Sequence, residues 1–97
     1  MIKDINSIAD VQVFFENIFD EGTEIHPDDD FNNIVNLETG EPVYSKNEAT
    51  KRNLLMGKAF DICQDKSIDI YDLGLTVLLN KSGLNKFILA NIKRLSH

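Results

Sequence analysis

Six carboxylates crowd one short stretch of the chain. Asp20, Glu21, Glu24, Asp28, Asp29 and Asp30 lie within eleven residues, with His26 among them. Carboxylate oxygens at this density suit a hard cation such as calcium or magnesium. The spacing argues against the EF-hand version. Asp28-x-Asp30-x-Asn32 opens correctly, but Asn33 stands where the sharp turn needs glycine and Thr39 where the bidentate glutamate belongs. No metal site is expected. His26 beside Asp28 sketches a base with an orienting acid, yet no nucleophile motif accompanies it: there is no G-x-S-x-G. The single cysteine, Cys63, falls on an apolar helix face rather than at a helix N-terminus, where a thiolate would be favoured. The five glycines are isolated, so neither a dinucleotide fingerprint nor a P-loop can be built from them. The sequence reads as non-enzymatic, with no catalytic residues and no cofactor.

The remaining chemistry is charge. Residues 1–44 hold one base and eleven acids, and residues 45–97 hold nine bases and five acids, so the net −6 conceals a dipolar chain. Asp20 and Glu21 fall at the C-terminal end of the first expected helix, where acids are disfavoured by the helix dipole. A local rule broken without local benefit is a marker of function. The expected partner-binding surface is therefore acidic: Asp20, Glu21, Glu24, Asp28, Asp29 and Asp30, extended by Glu38 and Glu41, with Tyr44 as an aromatic anchor. Such a surface would dock on a basic face of another protein and steer association at low salt. Small acidic inhibitors of nucleic-acid-binding proteins, of the phage or mobile-element type, work in this way.

Two alternatives stand beside that reading. The basic C-terminal segment could present Lys86, Lys93 and Arg94 to phosphate as a small nucleic-acid-binding regulator, although a net charge of −6 opposes approach to a polyanion. The chain could also self-associate by pairing its acidic and basic halves, and Leu54, Phe87 and Leu89 would suit a homodimer interface.

The elements that must position these residues follow from periodicity. Ile8, Val11, Phe14, Phe15, Ile18 and Phe19 recur at helical spacing and predict a helix over about 8–20, opened by Ser7-x-x-Asp10 and closed near Gly22. Pro27 suits the first position of a short helical turn, with Asp28, Asp29 and Asp30 complementing its dipole. Ile34–Leu37 and Pro42–Tyr44 flank Glu38-Thr39-Gly40-Glu41 and predict a β-hairpin over about 34–44. Ser45-x-x-Glu48 opens a second helix, about 46–64, with Glu48 and Arg52 as an i, i+4 pair worth tenths of a kcal/mol. Asp69-x-x-Asp72 opens a third, about 70–80, apolar nearly all round and so the expected centre. Gly74 within it would admit a close backbone approach. A fourth helix is expected over about 84–95.

The fold class is thus mainly α, a single four-helix domain over residues 1–97 with a short β-hairpin between helices one and two. The 42% apolar content and 97 residues support one modest core. No signal-peptide pattern and no run near 20 apolar residues occur, and a single cysteine cannot form an internal disulfide. A cytoplasmic protein without membrane contact is expected.

Overall fold

A computed structural model describes residues 1–23 and 26–82. They form α1 (Ile8–Asp20), a single 3-10 turn at Phe31–Asn33, α2 (Lys46–Asp65) and α3 (Ile70–Ser82). Each helix starts where a short polar side chain can hold N–H groups that have no intrahelical partner. Ser7 Oγ accepts from the Asp10 N–H at 3.2 Å, and Ser45 Oγ accepts from the Glu48 N–H at 3.2 Å. Asp69 Oδ1 accepts from the Tyr71 and Asp72 N–H groups at 2.8 and 3.3 Å. The ends differ. α1 closes at Gly22, whose φ of +78° suits glycine, with its N–H on the Phe19 carbonyl at 3.0 Å. α2 makes a Schellman closure without glycine. Ser67 takes φ +56° and donates to the Gln64 carbonyl at 3.2 Å, and the Ile68 N–H reaches the Cys63 carbonyl at 2.8 Å.

The core centres on α1 rather than on α3. Val11, Phe14 and Ile18 are fully buried and Phe15 is 1% exposed. The α1 stripe supplies three large rings, Phe14, Phe15 and Phe19, and α1 packs against both α2 and α3. α3 buries Ile70, Val77 and Leu79 but leaves Tyr71 46% exposed. Gly74 serves a different contact from the one expected. A Cβ built there would meet the edge of the Phe15 ring at 3.4 Å, an ordinary contact, and the nearest neighbours are ring atoms and not backbone. Gly57 is the opposite case, exposed in mid-α2 with nothing within 4 Å of a built Cβ. Gly57→Ala should therefore stabilise the protein by about 0.5–1 kcal/mol. Thermal melting should show it as a rise of a few degrees; a fall would mean that α2 is packed differently there.

Two features of the expected architecture are corrected. Four helices and a hairpin do not fit: the described residues contain three α-helices and no strand. The expected fourth helix over 84–95 lies outside the described residues. At the expected hairpin, 34–44, one isolated antiparallel bridge joins Val35 to Pro42. Pro42 has no N–H to extend a ladder. Asn36 then supplies an alternative, since its Oδ1 accepts from the Glu38 and Thr39 N–H groups at 2.8 and 3.3 Å. Side-chain capping of this kind competes with strand pairing, and here it wins.

Candidate functional site: the acidic loops and the α2 groove

Arg52 organises the front half of the chain. It lies on the apolar stripe Ala49, Met56, Ala59 and Cys63 of α2, and is only 5% exposed. Its guanidinium grips Glu21 from two directions, Nε to Oε1 at 3.2 Å and a terminal nitrogen to Oε2 at 2.5 Å. The other terminal nitrogen donates to the Glu48 carbonyl at 3.0 Å and to the Glu48 carboxylate at 2.8 Å. The plane lies over the Tyr44 ring, 4.3 Å from its centroid. Burial pulls the guanidinium pKa down, but the Glu21 and Glu48 carboxylates outweigh it and hold it above its usual value. The expected Glu48–Arg52 pair is present within α2, with the guanidinium buried and the carboxylate half-exposed; it is Glu21 that ties Arg52 to the end of α1.

Several residues expected to face a partner already have a partner in the same molecule, although Asp20 and Asp30 stay exposed. Glu21 is bound by Arg52 and also accepts from the Tyr44 hydroxyl at 2.9 Å. Asp20 pairs with Lys81 of α3. Tyr44 is half-buried, packs edge-on against Phe31 and shares a hydrogen bond with the Thr23 hydroxyl at 2.9 Å. It anchors the loop to the core. Asp30 caps the 3-10 turn, accepting from the Asn32 backbone and side chain at 2.9 and 3.1 Å and from the Asn53 amide at 2.8 Å. Its carboxyl is held below the ordinary value by the Asn32 N–H first, then by the Asn53 and Asn32 amides.

The turn geometry at Pro27 also differs from expectation. His26 to Asp29 form a β-turn, with the Asp29 N–H on the His26 carbonyl at 2.9 Å and Asp29 Oδ2 accepting from the His26 N–H at 2.9 Å. The helical turn comes later, at Phe31. Asp28 and Asp29 remain exposed. Glu24 lies outside the described residues, as do Lys86, Lys93 and Arg94 of the nucleic-acid alternative and Phe87 and Leu89 of the dimer interface. No group of three His, Cys, Asp or Glu side chains placed to hold a metal ion occurs among the described residues. Cys63 is buried, and burial raises its thiol pKa ahead of the Asp69 charge.

The residues left facing outward converge on the turn between Ile34 and Val43. Leu37 is 97% exposed, with Val35 at 41% and Val43 at 46%, and Glu38 and Glu41 are exposed beside them. This turn is tightly held. The Gly40 N–H donates to the Asn36 carbonyl at 2.7 Å, the Asn36 N–H to the Glu41 carbonyl at 2.8 Å and the Val43 N–H to the Ile34 carbonyl at 3.0 Å. Gly40 takes φ +73°, which a side chain would strain. An apolar tip with two carboxylates on the same turn is thereby presented on a fixed backbone.

A groove of about 670 Å³ runs between the first residues and α2. Met1, Ile2, Leu54 and Leu55 give it an apolar floor, and Lys3, Lys51 and Lys58 stand among its lining. Leu54 is 66% exposed there. Lys58 meets Asp4, and Lys51 meets Glu48 at 3.5 Å; both contacts are on exposed side chains and are weak.

The sequence reading missed Arg52 as a structural centre and Phe31 as core. Each left a signal. Arg52 interrupts an otherwise apolar helical stripe, and Phe31 is a large ring within the most polar stretch. Comparison with known proteins matches no protein family, no curated protein and no solved structure.

The carboxylates also set the acid limit of the fold. The Arg52 guanidinium, then Lys51, holds Glu48 below its ordinary 4.5, and the Lys58 ammonium holds Asp4 below 3.8 as the Asn groups do Asp30. Depressed carboxylates contribute stability that is complete above their unfolded values and is lost as pH falls through the folded ones. Melting temperature should therefore be level from about pH 7 to about pH 5 and fall below about pH 4.5. A maximum in the acid range would contradict these pairings.

Proposed function

We propose that this protein is a non-enzymatic protein-interaction module whose docking element is the acidic, apolar-tipped turn over residues 35–43. The partner presents an apolar cleft flanked by basic groups. The observation that carries the reading is Leu37, 97% exposed beside exposed Glu38 and Glu41 on a turn closed by its own hydrogen bonds. Single exposed leucines are ordinary on protein surfaces. Three exposed apolar side chains on one rigid turn with carboxylates among them are a different feature, because the cost of ordering a loop on binding is already met. Asp28 and Asp29 add negative charge from the neighbouring turn and favour encounter with a basic face. No described helix is long and apolar enough to cross a membrane.

The test is partner capture with two charge-reversed proteins at low and high salt. Glu38→Lys with Glu41→Lys should abolish capture and leave the melting temperature unchanged. Asp28→Lys with Asp29→Lys should weaken capture mainly at low salt, as expected for steering charge. Capture that survives both reversals would remove the turn from the function.

A further inference from the structure

We infer that the turn of one molecule docks in the α2 groove of a second copy of the same chain. The inference rests on the reading of the turn as a docking element and names its partner. The two surfaces complement each other in chemistry. One offers Leu37 with Glu38 and Glu41 beside it on the same turn; the other offers an apolar lining with Leu54 exposed and with Lys3, Lys51 and Lys58 among its residues. At about 670 Å³ the groove is within the range that encloses compact apolar groups. Leu37 does not reach any groove of its own molecule, since it is 97% exposed. The C-terminal residues 83–97 are a poorer match by charge. They carry Lys86, Lys93 and Arg94 and no acid, which the lysines of the groove would repel. The weak Lys51–Glu48 and Lys58–Asp4 contacts leave both ammonium groups able to turn toward an incoming carboxylate.

A contact between two different patches closes into a two-fold pair when reciprocated and into a ring or chain when it is not. In either case mass should rise with concentration. Light scattering coupled to size-exclusion chromatography should show an assembly whose apparent affinity falls by about tenfold or more between low and high salt. Glu38→Lys with Glu41→Lys, and separately Lys51→Glu with Lys58→Glu, should each yield a monomer with unchanged helical circular dichroism. Mixing the two reversed proteins restores opposite charge at both contacts and should restore assembly. Adding Leu54→Glu to both should abolish that rescue, which separates docking from general attraction between oppositely charged proteins. A wild-type monomer at every concentration and salt would overturn the second copy as partner. So would an assembly indifferent to the reversals. If the monomer still captures another protein through the turn, the docking reading stands and only its self-pairing is lost; if capture fails as well, both are lost.

Discussion

Replacing Glu21 by alanine is expected to destabilise the fold by about 3 kcal/mol. For a domain of this size that is about 12–24 °C in melting temperature. The reason lies in the asymmetry of the pair. The Arg52 side chain is 6% exposed and that of Glu21 is 30% exposed. Without Glu21 the guanidinium keeps only Glu48, and two of its nitrogens lose their carboxylate in a site with little access to water. Arg52→Met should cost less, since the Glu21 carboxylate it abandons can hydrate. The double variant Glu21→Ala with Arg52→Met should recover at least half of the loss, because exchanging a buried pair for apolar volume is often near neutral. Denaturant unfolding of the four proteins measures this coupling. A Glu21→Ala loss under about 1 kcal/mol would mean that the pair behaves as an exposed one.

The second large effect is expected at Phe31. Phe31→Ala should cost about 3–5 kcal/mol, the range for removing a fully buried ring. Phe31 has no exposed surface and fills the space between Phe14, 6.5 Å away between centroids, and Tyr44, 5.7 Å away. Its backbone N–H is also held by the Asn53 side chain at 3.0 Å. It is the pin that fastens the acidic segment to the helices. Beyond the stability loss, the variant should raise amide exchange across residues 26–44 more than in α1 or α2, since the loop has no other large apolar group this deep. Uniform loosening of the whole chain would instead make Phe31 one core residue among equals.

The two cases show which parts of the fold were legible in the sequence. Helix starts are local events, written in Ser7, Ser45 and Asp69, and the structure uses each as a cap. The acidic segment is not local. Whether Glu21 faces water or a partner depends on Arg52, thirty-one residues later, and a charge count cannot contain that pairing. The same holds for Asp20 with Lys81 and Asp30 with Asn53. The expected hairpin failed for a short-range reason that was visible in advance, the missing N–H of Pro42 beside the capping amide of Asn36. The expected central role of α3 rested on composition, which counts apolar residues but not the space they fill. Of the nine residues expected to meet a partner, Glu38 and Glu41 keep their carboxylates on the exposed turn, and Asp28 and Asp29 stay exposed on the neighbouring one.

The most direct measurement is a photo-reactive side chain at position 37, irradiated in wild-type background and again with Glu38→Lys and Glu41→Lys. The docking turn requires adducts that map to a lysine-flanked apolar cleft and vanish on charge reversal. Adducts scattered without regard to charge, or none at all, would contradict it.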